Sequence, residues 1–335
     1  MTKLDNLFGT LNEAEPLFIM PHTNPDPDAL ASAAALQSLL MQQFGLAGRL
    51  SYSGIIGRAE NKALARYLGI AASAKNLLEA GAAAVVLVDT QPGAGNIVLP
   101  PLARVVAVID HHQPHPDAAP AKPPPFVDLR PDVGATSTLL VEYFEAAGLP
   151  LSQMLATALF YGIKTNTMGL SRNAGRADAA AYYRLQPQID VEALGKIEQA
   201  RVPPHYFKTF DAALRHARLY GHLVFSDLGP VDYPDLTAEM ADWLLRLERA
   251  HWVVCVGVYH HTLIISVRTR RRRDNAEQLA LAMVNSEGVA GGHGTIAGGQ
   301  IPLDDRNAET LMPQLTNRAL LALNLPPDTP DVPLF

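Results

Sequence analysis

Short apolar runs alternate with longer helical patterns in the first half of the chain. Residues 17–20, 84–88 and 104–109 form nearly continuous apolar runs that are rich in Val, Leu and Ile. Such runs are typical of strands that are buried on both faces of a parallel sheet. Residues 29–44 carry an Ala- and Leu-rich helical pattern between the first two runs. This order predicts βαβ units, and therefore an α/β domain with a parallel sheet and helices on both faces.

The rest of the pattern predicts more helices, a second set of strands and two loops. Helices are expected at 139–147, 151–161, 177–185, 191–200 and 276–285, and strands at 221–225, 252–259 and 262–267. Thr136 or Ser137 is expected to cap the helix at 139–147. The proline-rich segment 114–131 is expected to be a surface loop, and the glycine-rich segment 291–299 a second loop.

The length of the chain favours two domains. At 335 residues it exceeds the usual size of a single core. Prolines mix with charged residues at 186–204, which is typical of a boundary. We therefore predict a first domain at 1–190, a helical linker at 191–215 and a smaller α/β domain at 216–330.

Charge and hydropathy restrict the partners. The formal net charge of −6 argues against long duplex DNA, which needs a broadly basic face. A signal-peptide pattern and an apolar stretch of about 18 residues are both lacking, so we expect a cytoplasmic protein with no membrane partner. The single cysteine, Cys255, excludes an intramolecular disulfide and is expected to be a buried, inert thiol. Trp243 and Trp252 are expected to pack in cores.

Acidic and histidine residues follow each of the three apolar runs. They are His22, Asp26 and Asp28 after the first run, Asp89 after the second, and Asp110, His111 and His112 at the end of the third. The carboxyl ends of parallel strands lie at one edge of a sheet, so these side chains are expected in one pocket. Several carboxylates stay ionised together only if cations neutralise them. Imidazole and carboxylate ligands without thiolate suit Mn²⁺, with Mg²⁺ or Zn²⁺ as alternatives.

Two ions about 3.5–4 Å apart are the arrangement used in phosphoester hydrolysis, and Asp89 is our candidate for the bridging carboxylate. Two of the other carboxylates also have simpler interpretations. Asp28 could cap a helix that begins at Ala29, and Asp26 could make a turn between its prolines. Taken singly, either residue fits the simpler interpretation better. The occurrence of such residues at three successive strand ends favours the metal site.

In their order along the chain, these motifs resemble those of the DHH phosphoesterases with a C-terminal DHHA1 domain. The matching motifs are His22-x3-Asp26-x-Asp28, Val88-Asp89-Thr90, Asp110-His111-His112, Gly162-Ile163-Lys164-Thr165-Asn166-Thr167, and Gly291-Gly292-His293 with Ala297-Gly298-Gly299. The resemblance covers nearly the whole chain. It implies a DHH catalytic domain on the parallel sheet, a DHHA1 substrate-binding domain after it, and an active site in the cleft between the two.

The resemblance also implies roles for the site residues. The implied ligands are His22, Asp26 and Asp89 for one metal, and Asp28, Asp89, His111 and Asn166 for the other. His112 would act as a catalytic residue facing the scissile phosphate, and Asp110 would support it. Water activated by two Mn²⁺ ions, with Mg²⁺ as a possible substitute, would be the nucleophile.

One position departs from the family pattern. The fourth motif of the family ends in Asp-Thr, and this chain has Asn166-Thr167. An amide oxygen can bind a hard cation but brings no charge. We therefore expect the second metal to bind more weakly, or to be recruited with the substrate.

Phosphate binding requires hydrogen-bond donors to the phosphate oxygens. The expected substrate-binding residues are Arg172, Arg268, Gly291, Gly292 and His293, of which the glycines permit close approach of backbone amides. Residues 271–273 extend the basic run after Arg268 and are expected to form a solvated turn.

The function that the resemblance implies is hydrolysis of short single-stranded oligoribonucleotides, of 3′-phosphoadenosine 5′-phosphate, or of both. A manganese-dependent inorganic pyrophosphatase is one alternative, because its first motif is similar, although it lacks the Gly-Gly-His element. A nucleotide-binding protein weakened in catalysis by Asn166 is the other alternative. A homodimer is compatible with all three functions.

Overall fold

The computed structural model describes residues 2–11, 16–70, 83–114, 123–271, 273–304 and 306–334. The chain divides into two compact units, Met1–Ala200 and Arg201–Phe335. The division falls within the segment 191–215 that we predicted as a helical linker. Among the helices in the described ranges, none is both long and apolar enough to cross a bilayer.

The first unit contains the predicted parallel sheet. Its strands are β1 (Leu17–Pro21), β2 (Arg49–Leu50), β3 (Ala83–Val88), β4 (Ala103–Asp110) and β5 (Phe126–Leu129), in the order β2-β1-β3-β4-β5. All four pairings are parallel. The helices are α1 (Lys3–Leu11), α2 (Pro27–Phe44), α3 (Ala59–Tyr67), α4 (Thr136–Ala147), α5 (Gln153–Asn166), α6 (Arg176–Leu185) and α7 (Val191–Glu198). A short 3-10 helix, Gln186–Gln188, follows α6.

The core of this unit lies on both faces of the sheet, because successive side chains of a strand point to opposite faces. Ile19 and Val86 belong to the large cluster that includes the apolar faces of α1 to α7. Phe18 and Leu87 belong to a second cluster, against which Ile97 packs. Burial on both faces explains why these strands appear as continuous apolar runs in the sequence.

Two expectations from the sequence are wrong in this unit. The proline-rich segment 114–131 is not loop throughout, because β5 lies within it and pairs with β4. Helix α4 begins at Thr136 instead of residue 139, and neither Thr136 nor Ser137 caps it, since its cap residue is Ala135 with no side-chain hydrogen bond.

The second unit is built on a seven-stranded sheet. Its strands are β6 (Arg218–Tyr220), β7 (Leu223–Pro230), β8 (Trp252–Tyr259), β9 (Thr262–Thr269), β10 (Val289–His293), β11 (Ile296–Pro302) and β12 (Asp331–Pro333), in the order β10-β11-β9-β8-β7-β6-β12. Only the β7–β8 pairing is parallel among these described strands. The helices are α8 (Pro204–Arg215), α9 (Leu236–Leu244), α10 (Ala276–Val284) and α11 (Ala308–Ala322). Cys255 on β8 is fully buried, as expected.

The glycine-rich segment 291–299 is a β-hairpin, so the prediction of a loop there is wrong. Gly291 pairs with Gly298 and Gly292 with Ala297 across β10 and β11. A Cβ atom on Gly292 would lie 2.4 Å from the carbonyl oxygen of Ile296. Glycine at that position therefore permits the two strands to approach each other, and the sequence pattern alone did not distinguish this role from a phosphate loop.

The two tryptophans of the second unit lie in different environments. Trp252 on β8 is buried in the core, as expected. Trp243 on α9 is 48% exposed, so the expectation that it packs in the core is wrong.

Candidate metal centre

Three neighbouring strands end at one edge of the first sheet. The carboxyl end of β1 is followed by His22, that of β3 by Asp89, and β4 ends in Asp110, which His111 and His112 follow. Because β3 pairs with both β1 and β4, these residues come together at that edge. Asp89 is 1% exposed. Its backbone is left-handed, with φ of 59°, a conformation that costs free energy in a non-glycine residue and is enriched at functional sites.

The Asp89 carboxylate lies between two imidazoles. Its Oδ2 is 3.6 Å from Nε2 of His22, and its Oδ1 is 3.5 Å from Nε2 of His111. Each carboxylate oxygen therefore faces a different histidine, which is the arrangement expected of a carboxylate shared by two cations. Thr136 donates a hydrogen bond from its hydroxyl to Oδ1 at 2.8 Å.

Hydrogen bonds to backbone carbonyls orient both imidazoles. Nδ1 of His22 donates to the carbonyl of Thr23 at 2.9 Å, and Nδ1 of His111 donates to that of Val133 at 3.3 Å. With Nδ1 protonated, Nε2 carries the lone pair and is the nitrogen that can bind a metal. In both residues that nitrogen is the one that faces Asp89.

Asp26, which the sequence suggested as a turn residue or a metal ligand, lies at the start of α2. It is the N-cap of α2, and its Oδ1 accepts a hydrogen bond from the backbone amide of Ala29 at 3.0 Å. The same oxygen lies 3.9 Å from Nε2 of His22. His22, Asp26 and Asp89 each place a ligand atom within 4.8 Å of the others, and so do Asp89, His111 and His112. The two groups share Asp89.

Asp28 is fully buried and does not cap its own helix, which begins at Pro27 instead of Ala29. Its carboxylate accepts hydrogen bonds from the backbone amides of Thr136 and Ser137, at 2.8 and 2.7 Å, in the first turn of α4. Asp28 thereby satisfies two of the amides that every helix leaves unpaired at its N-terminus, and it interacts favourably with the helix dipole. The predicted capping role of Thr136 and Ser137 is thus filled by a residue more than a hundred positions away in the sequence.

Asn166 joins Asp28 to His111. Its Nδ2 donates to Oδ2 of Asp28 at 2.9 Å and lies 3.2 Å from Nε2 of His111. Asp28 and Asn166 lie outside both three-residue groups described above. The amide therefore occupies, by hydrogen bonding, the position between two of the predicted ligands of the second metal.

Gly162 allows α5 to approach this part of the site. A Cβ atom on Gly162 would lie 2.4 Å from Oγ of Ser137 and 3.1 Å from Cα of Asp28. The glycine of the fourth motif is therefore required by close packing of α5 against α2 and the start of α4.

His112 and Asp110 form a hydrogen-bonded pair. Nδ1 of His112 donates to Oδ1 of the fully buried Asp110 at 2.8 Å, and Nε2 of Gln91 donates to Oδ2 at 3.0 Å. Burial lowers the pKa of His112, but the hydrogen bond and the charge of Asp110 outweigh it and raise that pKa overall. The imidazole is thus held in one orientation and is readily protonated.

The titration of the site reflects its excess of carboxylates. Burial, together with the charges of Asp28 and Asp26, raises the pKa of Asp89 well above its usual range. Burial lowers the pKa of His22, but the hydrogen bond to Asp26 and the charges of Asp26 and Asp89 raise it to about 9. Without a cation, therefore, the site holds protons. The two three-residue groups contain two carboxylates, three imidazoles and no thiolate, and such groups fit a divalent cation that accepts oxygen and nitrogen ligands.

The predicted substrate-binding residues are distributed over both units. Nη2 of Arg172 donates to the carbonyl of Asn166 at 3.0 Å, which places Arg172 next to the fourth motif. Arg268 on β9 is 7% exposed, and its Nε donates to Oδ1 of Asp242 at 2.6 Å. Gly291 and Gly292 are exposed on β10. The side chain of His293 lies outside the part of the chain that the structure describes.

The sequence did not indicate three residues that support the ligands. Thr136 contacts Asp89 and Gln91 contacts Asp110, while Asp178 is fully buried beneath the start of α4. Asp178 accepts hydrogen bonds from the amides of Gly134 and Gly175 and from the hydroxyl of Thr138, at 2.6–2.8 Å. The only sequence signal was the small polar run 134–138, which also resembles an ordinary helix start.

Comparisons with known proteins identify a known domain and a relative. Residues 16–163 match the sequence model of the DHH family, N-terminal domain. An uncharacterised protein of Methanocaldococcus jannaschii is 32% identical over 290 residues, which make up 86% of this chain and 58% of that protein. The chain thus spans a little over half the length of this relative.

The fold has a counterpart among solved structures. An exopolyphosphatase-related protein from Bacteroides fragilis superimposes with a TM-score of 0.69, at 16% identity and with 95% of each chain covered. At that identity the similarity shows the fold alone. The family match spans β1 to α5, the segment that supplies His22, Asp89 and the Asp110-His111-His112 triplet. Residues 16–163 of this chain therefore form a domain of the DHH family type.

Proposed function

We propose that this protein is a metal-dependent phosphoesterase whose site is built around Asp89. The observation that carries the proposal is the position of the Asp89 carboxylate, with one oxygen facing His22 and the other facing His111. In this proposal His22, Asp26 and Asp89 hold one cation, and Asp89, His111, Asp28 and Asn166 hold the second. Mn²⁺ suits this mixture of imidazole and oxygen ligands, and Mg²⁺ is the alternative.

Bound divalent cations would supply an activated water and neutralise charge on the phosphate. The residues of the chain would position these groups. Asp110 fixes the ring of His112 through Nδ1, so that Nε2 is the nitrogen that would donate to the phosphate or the leaving oxygen. The raised pKa of His112 favours the protonated form that such a donor needs.

Asn166 makes the second cation position the weaker of the two. The amide adds no negative charge, and its Nδ2 now satisfies one oxygen of Asp28. For the oxygen of Asn166 to become a ligand, the amide must turn and release this hydrogen bond. We propose that the second cation binds weakly or arrives together with the substrate phosphate.

For the substrate, we propose short single-stranded oligoribonucleotides, 3′-phosphoadenosine 5′-phosphate, or both. Arg172 lies beside the fourth motif, where its guanidinium group could bind a phosphate. Arg268 and the Gly291-Gly292 hairpin of the predicted DHHA1 domain are further candidate phosphate and base contacts. The protein would act on these substrates as a monomer or as a homodimer.

The test is hydrolysis by the full-length, metal-stripped protein after Mn²⁺ is restored. The substrates are a labelled diribonucleotide, 3′-phosphoadenosine 5′-phosphate and pyrophosphate. We expect turnover of at least one of the first two. Asp89→Asn and His111→Ala should each lower the rate by more than about 100-fold, since loss of the groups that merely support metal ligands costs 10–100-fold. His216→Ala is the matched control, because His216 is an exposed histidine of the second unit.

Three results would contradict the proposal. Wild-type rates in Asp89→Asn would exclude the metal assignment. Release of orthophosphate from pyrophosphate, without attack on either nucleotide, would favour the inorganic pyrophosphatase. Turnover that appears only in Asn166→Asp would favour a nucleotide-binding protein without catalysis.

A further inference from the structure

Exposed arginines surround an exposed tryptophan on the second unit. Trp243 lies in the last turn of α9 and is 48% exposed. The arginines follow α9 and β9 in the chain, and all of them are exposed: Arg246, Arg249, Arg270 and Arg271. We call these five residues the arginine surface. Arg273 continues it, and Arg272 lies outside the described residues.

The two segments that carry the arginines lie side by side. Nε of Arg270 donates to the carbonyl of Leu245 at 2.9 Å, and Nη2 of Arg271 lies 3.0 Å from Nδ1 of His251. The guanidinium of Arg246 stands 5.0 Å from the centre of the Trp243 ring. These contacts bring Trp243, Arg246, Arg270 and Arg271 close together, and the exposed Arg249 lies in the chain between Leu245 and His251.

The described arginines of this face are not held in ion pairs with carboxylates. Other exposed arginines form ion pairs, such as Arg215 with Asp211 at 2.8 Å and Arg184 with Glu145 at 2.9 Å. Within the described part of the chain, no carboxylate forms an ion pair with an arginine of the arginine surface. The nearby Asp242 is engaged by the buried Arg268.

The local charge is also opposite to that of the whole protein. Segments 242–251 and 269–274 contain six arginines and three acidic residues, in a chain of net charge −6. A confined basic patch on an acidic protein is the electrostatic footprint of a surface that binds phosphates. The expectation that residues 271–273 form only a solvated turn does not account for Arg246, Arg249 and Trp243 on the same face.

We propose that the arginine surface binds single-stranded nucleic acid, with the arginines on successive phosphates and a base stacked on Trp243. One guanidinium group can bind two phosphate oxygens at once. An exposed aromatic ring can stack on a base of any sequence. Phospholipid headgroups and polyphosphate provide the charge but no base for the ring. The surface contains no metal ligand, so the proposal does not depend on the hydrolysis proposed above.

The experiment measures binding by the full-length protein in the presence of EDTA, so that hydrolysis cannot interfere. The probe is a labelled single-stranded RNA of about ten nucleotides, within the usual range of site sizes. Binding should quench tryptophan fluorescence through Trp243, because the other tryptophan, Trp252, is buried. Trp243→Leu should weaken binding at least about fivefold, and Trp243→Phe should retain most of the affinity but lose the quenching.

The arginines are tested with a matched control. Arg246→Ala combined with Arg249→Ala should weaken binding at least about tenfold. The slope of log affinity against log salt concentration should fall by the amount that one to two phosphate contacts contribute. Arg215→Ala removes an exposed arginine of the same unit that is already paired with Asp211, and should leave binding unchanged. Equal losses in Arg215→Ala and the double variant would overturn the proposal.

Two competing ligands complete the test. Polyphosphate of similar length and vesicles rich in anionic lipid are each measured with the wild-type protein and with Trp243→Leu. We expect the RNA to bind more tightly than either competitor, and only the RNA to be sensitive to Trp243→Leu. Preferential binding of vesicles or of polyphosphate, independent of Trp243, would overturn the assignment to nucleic acid.

Discussion

Thr136 and Asp89 are joined by a buried hydrogen bond, in which the Thr136 hydroxyl donates to Oδ1 of Asp89 at 2.8 Å. The backbone amide of Thr136 also donates a hydrogen bond, to Oδ2 of Asp28. The first residue of α4 thus fixes two carboxylates of the candidate metal centre at once. The hydroxyl leaves the other oxygen, Oδ2, directed toward His22.

Removing this hydroxyl should weaken metal binding without removing a ligand. Thr136→Val keeps the shape of the side chain but leaves Asp89 without its donor. We expect about a tenfold loss of Mn²⁺ affinity, as for other groups that support metal ligands. Titration calorimetry measures the affinity, and Thr136→Ser, which restores the hydroxyl, is the control. Equal affinities in the valine variant and the wild type would show that the hydrogen bond does not orient Asp89 for a metal.

Metal binding should release protons and strengthen as the pH rises. The pKa of His22 is raised to about 9 and that of Asp89 is raised well above its usual range, so the metal-free site is protonated near neutrality. A cation needs the neutral imidazole and the ionised carboxylate, and it must displace these protons. Affinity should therefore increase with pH until it approaches about 9. Calorimetry in buffers with different ionisation enthalpies counts the protons, and a count of zero at pH 7 would contradict the prediction.

Asn166→Asp should change the stability of the metal-free and metal-loaded forms in opposite directions. Without metal, a carboxylate replaces the amide donor beside Asp28, so two like charges meet and the melting temperature should fall. With Mn²⁺, the added charge should strengthen the second cation position and raise the melting temperature. Thermal unfolding with and without metal measures both effects. Asn166→Ala removes the donor without adding charge and should not gain the metal-dependent stabilisation.

Asp178→Ala should destabilise the first unit. Its carboxylate satisfies two backbone amides, those of Gly134 and Gly175, and the hydroxyl of Thr138. Leaving these buried groups unpaired should cost about 3 kcal/mol of unfolding free energy. Asp211→Ala, at an exposed ion pair, should cost less than about 1 kcal/mol. Urea denaturation measures both variants, and similar values would show that the Asp178 network is not a major source of stability.

Gly162→Ala should be destabilising although alanine is the better helix former. A Cβ atom at this position would lie 2.4 Å from Oγ of Ser137. Overpacking of this kind costs roughly 1–3 kcal/mol. Gly195 in α7 is the matched control, because a Cβ atom there would meet no atom within 4 Å. Gly195→Ala should be neutral or stabilising by up to about 1 kcal/mol, so the two substitutions should shift the unfolding midpoint in different directions.

The sequence by itself determined the parallel sheet and indicated most of the candidate metal ligands that meet at its edge. The strands are buried on both faces, which makes them continuous apolar runs, and a candidate ligand follows each run within two residues. The linear sequence alone therefore indicated His22, Asp89 and His111 as candidate metal ligands. The strands at 252–259 and 262–267 were also predicted correctly, and they pair with each other.

Only the tertiary structure decided which groups support these ligands. The partner of Asp28 at the start of α4, the amide of Asn166 between Asp28 and His111, and the carboxylate of Asp178 all act across long sequence separations. The strand β5 forms because β4 lies beside it, and its four residues carry too little pattern to be recognised. From the sequence, Trp243 was expected to pack in the core and residues 271–273 to form a solvated turn. Their exposure on one face results from the folding of two distant segments against each other, and local patterns carry no information about such contacts.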